Sequence, residues 1–120
     1  MIKAAILGYG TVGSGVFQVL RENREQIVEK NGCEIEVKYV LDLREFPQDP
    51  VEEVLVHDFN VIANDPEVSI VCETMGGVKP AYDFTKKCLE AGKSVCTSNK
   101  ELVEKHGAEL IALAKEHNCN

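Results

Sequence analysis

Three glycines near the N-terminus have the spacing of a site for a nucleotide pyrophosphate. Gly8, Gly10 and Gly13 fit Gly-x-Gly-x-x-Gly, directly after a short apolar run. In this fingerprint the first glycine permits a tight turn, the second lets the backbone approach the pyrophosphate, and the third lets a helix lie close to the strand. The phosphates would meet the helix N-terminus, where free amides and the helix dipole favour an anion. The spacing predicts a dinucleotide site, with a plain glycine turn as the alternative.

A carboxylate and a guanidinium follow the second predicted strand and bear on which dinucleotide binds. Asp42 stands where the fingerprint expects an acceptor for the adenosine ribose hydroxyls, which favours NAD. Arg44 is close enough to meet a 2′-phosphate instead, which would favour NADP. Asp42 lies further from Gly13 than the usual ~20 residues, because the predicted first helix is long. Asp42 could also be only a turn former, and the choice between NAD and NADP stays open.

The stretch Thr97-Ser98-Asn99-Lys100 places two hydroxyls, an amide and an ammonium group between a predicted strand and a predicted helix. In a hydride-transfer site, the Lys100 ammonium could polarise the carbonyl being reduced or deliver its proton. The alternative is that Ser98 or Asn99 caps the helix and Lys100 is a solvated residue of its first turn. A cation there is unfavourable with the helix dipole, so we favour the functional interpretation.

A second glycine turn, Glu73-Thr74-Met75-Gly76-Gly77, also follows a predicted strand. Its backbone groups could contact the nicotinamide end of a dinucleotide, although a strand-end carboxylate beside a glycine turn is also common in ordinary loops. The polar candidates at all four turns follow strands. They should therefore share one edge of a parallel sheet.

Alternating strands and helices must position these residues. The pattern predicts one domain over residues 1–120, of the α/β class: a Rossmann-type, doubly wound, mostly parallel sheet with helices on both faces. The predicted strands are 2–7, 34–41, 68–72 and 94–97, and the predicted helices are 11–30, 80–91 and 101–118.

Several details of these elements are open to test. The first helix should end at Asn31-Gly32, and the last should break at Gly107. In the weak region 43–67, Asp49 could cap a short helix with Glu52 closing a capping box, while residues 54–56 could form a short strand. The expected inner face of the first helix comprises Val12, Val16, Val19, Leu20 and Ile27.

Composition narrows the classes of partner. The net charge of -7 argues against nucleic acid or an anionic membrane. No apolar stretch approaches the ~20 residues of a membrane span, so we expect a cytoplasmic protein. The five cysteines lack metal-ligand spacing and are expected to be reduced thiols, no metal site is expected, and the three histidines are expected on the surface.

Together, these motifs resemble a known family. The turn from Gly8 to Gly15, the Glu-x-x-Gly-Gly turn that starts at Glu73, and Thr97-Ser98-Asn99-Lys100 followed by His106-Gly107 are similar to the N-terminal domain of homoserine dehydrogenase. The resemblance spans essentially the whole chain. It implies that the pyrophosphate is held by Gly10, Thr11, Val12 and Gly13, that Thr97 and Ser98 neighbour the nicotinamide, and that Lys100, the expected catalytic residue, approaches the reacting carbonyl. The motifs themselves add five candidate cofactor-binding residues: Gly8, Asp42, Arg44, Thr74 and Gly76.

The family's activity would be the NAD- or NADP-dependent interconversion of L-aspartate 4-semialdehyde and L-homoserine, on the route to threonine, methionine and isoleucine. The resemblance implies that residues 1–120 are the cofactor-binding part of a longer, homodimeric or larger enzyme. They would bind cofactor without turning over substrate, since the substrate-binding region follows in the family. A non-catalytic dinucleotide sensor and the cofactor domain of another small-molecule dehydrogenase are the alternatives.

Overall fold

A computed structural model describes residues 2–23 and 35–120 of the chain. Within these ranges, strands and helices alternate as predicted. In chain order they are β1 (Ile2–Leu7), α1 (Thr11–Glu22), β2 (Ile35–Leu41), a 3₁₀ turn (Pro50–Glu53), β3 (Leu55–Val56), α2 (Phe59–Ala63), β4 (Val68–Glu73), α3 (Ala81–Glu90), β5 (Ser94–Thr97) and α4 (Lys100–Glu116).

The described strands form one parallel sheet in the order β3-β2-β1-β4-β5. Leu7 pairs with Leu41 on one side and with Glu73 on the other, and Glu73 pairs with Thr97. This register brings the carboxyl ends of four strands to one edge, where ligands of such sheets bind. The predicted Rossmann-type fold is confirmed.

Side chains that alternate along the strands build a core on each face of the sheet. On one face, Ala5 and Leu7 pack with Phe59 and Ile62 of α2 and with other buried residues. On the other face, Ile6 packs with Phe17 of α1, Val40 and Val51. Helices therefore cover both faces, as the sequence predicts.

The inner face predicted for α1 is partly wrong. The buried residues of the helix are Gly13 and Phe17, whereas Val12 and Val19 are 51% and 53% exposed. The close approach of Gly13 to the sheet sets the rotation of the helix and turns these two valines toward solvent. The expected contribution of Ile27 and the stop at Asn31-Gly32 lie outside the described residues.

The region after β2 contains both of the short elements that the sequence left as alternatives. Asp49 caps the 3₁₀ turn, with its carboxylate accepting from the Val51 amide at 2.9 Å. The capping box is wrong, because Glu52 accepts from the amide of Phe46 at 2.7 Å instead. Helix α2 was not predicted from the sequence, although its cap, Asp58, is a typical start signal.

The last helix is continuous. It runs through Gly107, so the predicted break there is wrong. A glycine inside a helix lowers its stability by only about 1 kcal/mol, which packing of the apolar face readily offsets. Leu102, Leu110 and Ala114 provide that buried face against α3.

A buried lysine ties the start of β5 to the start of β4. Lys93 is 4% exposed, and its ammonium donates to the carbonyls of Asp65 at 2.7 Å and Val68 at 2.9 Å. It directly follows Gly92, which adopts a φ of 80° in the turn between α3 and β5. This cation therefore serves the end of the sheet opposite the polar turns.

Candidate functional site

The glycine turn is closed by a very short approach between helix and strand. Gly8 adopts a φ of 95°, and its amide donates to the carbonyl of Leu41 at 2.7 Å. A Cβ at Gly13 would lie 2.0 Å from the carbonyl oxygen of Gly8. Only glycine fits there, as the fingerprint requires. The Thr74 hydroxyl lies 3.0 Å from the same carbonyl, so β4 also supports the turn.

The first turn of α1 is open to an anion. Its N-cap is Gly10, which provides no side-chain cap, and the turn carries no acidic residue. The amides of a first turn have no partners within the helix, and the dipole adds partial positive charge there. Thr11 and Val12 are exposed, and a Cβ at Gly10 would meet nothing within 4 Å. The space that a pyrophosphate needs is therefore available in front of these amides.

Asp42 and Arg44 form a two-pronged ion pair at the end of β2. The Arg44 Nε lies 3.0 Å from Oδ1 of Asp42, and the Arg44 Nη2 lies 2.9 Å from Oδ2. The amide of Tyr9 also donates to Oδ2, at 3.0 Å. The Arg44 guanidinium holds the pKa of the Asp42 carboxyl well below its usual range. Asp42 is therefore ionised at neutral pH, and it fastens the end of β2 to the glycine turn.

Tyr9 docks the loop after β2 onto the glycine turn. Its hydroxyl donates to Asp49 at 3.0 Å, and its ring packs edge-on against Phe17 and Phe46, with centroids 5.9 and 4.9 Å away. Burial, and then the Asp49 carboxylate, raise the pKa of Tyr9 to about 12. The phenol is therefore neutral at physiological pH and acts as a donor.

A mostly apolar groove of about 390 Å³ opens beside Asp42 and Arg44. Phe59 and Phe84 stack within its lining, with ring centroids 4.2 Å apart and planes 14° apart. His57 also lines it, with Nδ1 2.7 Å from the carbonyl oxygen of Asp42. A flat aromatic base fits such a lining. The sequence predicts His57 only as a surface residue, because nothing in its local pattern points to Asp42.

A buried carboxylate organises the edge between β4 and β5. Glu73 is fully buried; it accepts from the Met75 amide at 2.7 Å and from the Thr97 hydroxyl at 2.6 Å. Asn99 caps α4 by accepting from the Leu102 amide at 3.1 Å, and its side-chain amide donates to the carbonyl of Met75 at 3.1 Å. These side chains hold the two loops together, whereas the sequence suggested mainly backbone contacts at Glu73.

The residues with the most obvious chemistry lie next to this buried network. Thr97, Ser98 and Lys100 line one open pocket, and Lys100 is the exposed first residue of α4. Gly76 lies exposed in the neighbouring loop. The structure thus brings the β4 and β5 candidates to the same edge as the glycine turn, with Asp42 and Arg44 at the β2 side of it.

A sequence model for the homoserine dehydrogenase NAD-binding domain matches residues 8–120. The chain belongs to this family. The resemblance found in the sequence is confirmed, and a nicotinamide dinucleotide, NAD or NADP, is confirmed as the class of cofactor.

Individual relatives agree with this NAD-binding domain along nearly its whole length. The homoserine dehydrogenase of Bacillus subtilis is 36% identical over 99% of the chain, and that of Pseudomonas aeruginosa is 39% identical over 96%. The chain spans only 28% and 27% of these two relatives. A crystal structure of the Staphylococcus aureus homoserine dehydrogenase superposes with a TM-score of 0.89 and 36% identity, covering 98% of this chain and 30% of that one. The structure of the homoserine dehydrogenase from Thiobacillus denitrificans superposes with a TM-score of 0.87 and 36% identity, covering 98% of this chain and 28% of that one.

Two further findings concern the described part of this NAD-binding domain. Within residues 2–23 and 35–120, no helix combines the length and the hydropathy of a membrane span. Across the same ranges, no three His, Cys, Asp or Glu side chains cluster in a way that could hold a metal ion.

Proposed function

We propose that the chain provides the cofactor site of an enzyme that interconverts L-aspartate 4-semialdehyde and L-homoserine. The observation that carries the proposal is the uncapped first turn of α1, which lies behind a glycine turn and shares a sheet edge with Thr97, Ser98 and Lys100. The bound dinucleotide would supply or accept the hydride. The residues of this chain would hold the dinucleotide and orient its nicotinamide.

The pyrophosphate would lie in front of Gly10, Thr11, Val12 and Gly13. Support comes from the exposure of the first turn and from the open space at Gly10, where a side chain would take the place of a phosphate. No cationic side chain is required for this binding, because backbone amides at a helix N-terminus supply the donors.

The adenosine would occupy the groove beside Asp42, with its ribose hydroxyls donating to that carboxylate. Both oxygens of Asp42 already accept two hydrogen bonds, Oδ1 from the amide and Nε of Arg44 and Oδ2 from the Tyr9 amide and Arg44 Nη2. The ribose hydroxyls would therefore replace the Arg44 side chain as donors to this carboxylate. A 2′-phosphate would instead lie against an ionised carboxylate unless Arg44 moved to meet it. We therefore propose that the domain prefers NAD to NADP.

The nicotinamide would lie toward Thr74, Gly76, Thr97 and Ser98, and the Lys100 ammonium would approach the reacting carbonyl. A cation at that position stabilises the negative charge that develops on the carbonyl oxygen as hydride arrives. Glu73 and Asn99 would act as positioning residues, since they hold the loops that carry these groups.

Calorimetric titration of the chain with NADH and, separately, with NADPH measures the two dissociation constants and tests the cofactor assignment. We expect measurable binding of NADH and weaker binding of NADPH. Asp42→Asn should narrow the difference, because it removes the charge that opposes the 2′-phosphate. Tighter binding of NADPH by the unaltered chain would make Arg44 the determinant and would contradict the role given to Asp42.

Gly10→Ala tests the phosphate site without disturbing the fold. The new methyl group meets open space in the free chain, so its melting temperature should not change. The dissociation constant for NADH should rise at least about tenfold, equivalent to about 1.4 kcal/mol. Gly15→Ala is the matched control, since its Cβ is equally unobstructed. Equal NADH affinity in the two variants would refute the assignment.

The remaining expectations concern the larger enzyme and its surroundings. We propose that this chain alone binds cofactor and does not oxidise homoserine; robust homoserine-dependent reduction of NAD or NADP would contradict this. Assembly of the whole enzyme as a homodimer or larger oligomer, a cytoplasmic location, and the absence of nucleic-acid and membrane partners stay predictions.

A further inference from the structure

Two cysteines face each other across the outer strand pair of the described sheet. Cys72 of β4 and Cys96 of β5 are direct partners in the parallel register. Their sulfur atoms lie 3.4 Å apart, and both thiols are free. Adjacent strands lie about 4.7–4.9 Å apart, which falls within the Cα separations of about 4.4–6.8 Å found across disulfides. The two sulfurs need to approach by only about 1.4 Å to reach the length of a disulfide bond.

We propose that Cys72 and Cys96 form a redox-active pair that closes to an intramolecular disulfide on reaction with hydrogen peroxide. This property goes beyond cofactor binding and does not depend on the proposed activity. The two cysteines lie one residue before Glu73 and Thr97, whose side chains share a hydrogen bond of 2.6 Å. The disulfide would therefore form directly below the edge that holds the candidate nicotinamide site.

Access and ionisation make Cys96 the attacking thiol. Cys96 is exposed, whereas Cys72 is half-buried and packs against the core on the α1 face. Either thiol can donate in the contact between the two sulfurs. Donation by Cys72 lowers the pKa of Cys96, and the contact with Cys96, followed by burial, raises the pKa of Cys72. Thiolate character together with exposure is the combination that makes a cysteine susceptible to peroxides.

The chemistry balances in two steps. The Cys96 thiolate attacks one peroxide oxygen, the O–O bond breaks, and the departing hydroxide takes up a proton to leave as water, which gives a sulfenic acid. The Cys72 sulfur then attacks the Cys96 sulfur, the S–O bond breaks, and the hydroxide leaves as water with the proton of Cys72. Two thiols are oxidised and one peroxide is reduced to two waters. A thiol reductant reverses the change, and exposed disulfides are generally the labile ones.

Other cysteines are poorly placed to compete within the described residues. Cys88 is fully buried, and burial raises its pKa to about 12. Cys119 donates to the carbonyl of Leu89, and burial also raises its pKa. The variant Cys33→Ser together with Cys119→Ser removes two of the three thiols other than the pair. It provides a simple background for the test.

Hydrogen peroxide in small molar excess, followed by alkylation and mass spectrometry, tests the proposal. The reduced chain should lose two hydrogens and should lose alkylation at both Cys72 and Cys96. Tryptic digestion without reductant should yield the peptide that holds Cys72 joined to the peptide that holds Cys96. Dithiothreitol should restore both thiols.

Two variants separate the steps. Cys72→Ser should stop at a Cys96 sulfenic acid that dimedone traps, whereas Cys88→Ser should still form the bond. Circular dichroism of each variant establishes that it is folded. The peptide map is made on the unaltered chain, so it tests the proposal even if a variant fails to fold. The proposal is overturned if both thiols stay alkylatable. It is also overturned if Cys96 gains oxygen without forming the bond while Cys72 is present, or if the link joins two chains.

Discussion

Replacement of Gly13 by alanine should destabilise the fold more than any other glycine-to-alanine change in α1. The new Cβ would lie 2.0 Å from the carbonyl oxygen of Gly8 and 2.8 Å from the Thr74 hydroxyl oxygen. The first contact is with backbone, so relief requires the glycine turn or the whole helix to move. The Thr74 hydroxyl lies 3.0 Å from the Gly8 carbonyl and 2.9 Å from that of Leu7, so movement of the Gly8 carbonyl would leave it only the second acceptor.

The size of the effect follows from three contributions. Overpacking costs about 1–3 kcal/mol, and the weakened contact of Thr74 with Gly8 adds up to about 1.5 kcal/mol. The better helix propensity of alanine returns up to about 1 kcal/mol. Since the contact at Gly13 is with a carbonyl that cannot rotate away, we expect the free energy of unfolding to fall by about 2–3 kcal/mol. For a domain of this size, the melting temperature should fall by about 8–12 °C.

Urea unfolding followed by circular dichroism measures this change. Gly15→Ala is the control in the same helix; its Cβ meets nothing within 4 Å, so it should gain up to about 1 kcal/mol from helix propensity. The two variants should therefore differ by about 2–4 kcal/mol. A Gly13→Ala variant as stable as Gly15→Ala would refute the close approach of helix and strand on which the phosphate site is built.

Three further predictions concern polar contacts. The Arg44 guanidinium lowers the pKa of Asp42 in the folded state, so this pair stabilises the fold above about pH 4 and loses the effect as the pH falls further. Asp42→Asn should therefore lose less free energy of unfolding between pH 5 and pH 3 than the unaltered chain, as measured by urea unfolding. Lys93→Met should cost about 1–3 kcal/mol in the same assay at pH 7, because two carbonyls lose their donor. Thr97→Val should cost about 1–3 kcal/mol by leaving Glu73 one donor short, whereas Thr97→Ser should not; equal stability of these two variants would contradict the contact.

The sequence predicts the parts of this structure that depend on local signals. The glycine spacing from Gly8 to Gly13, the apolar run of β4 and the stop at Gly92 are each encoded within a few residues. The alternation of such signals was enough to predict a parallel sheet. It also placed the polar turns at one edge, because all strands of such a sheet point the same way.

Features that depend on strand register or on the rotation of a helix about its axis could not be predicted from local sequence signals. The apolar pattern of α1 allows more than one inner face, and only the contact at Gly13 selects the observed one. The contact between Glu73 and Thr97 joins residues that are far apart in sequence. It requires a known pairing of β4 with β5. Because the pairing of β4 with β5 cannot be read from the sequence, the sequence indicates which residues form the site but not the hydrogen bonds that hold these residues in place.

The link between Asp42 and the amide of Tyr9 has a kinetic consequence. It joins the end of β2 to the glycine turn through groups of the protein alone, and the Tyr9 hydroxyl adds a second attachment to Asp49. A site that is already assembled loses little conformational entropy when it binds. Association of the dinucleotide should then be a single fast step whose rate rises linearly with ligand concentration, without a slower phase for ordering of the loop.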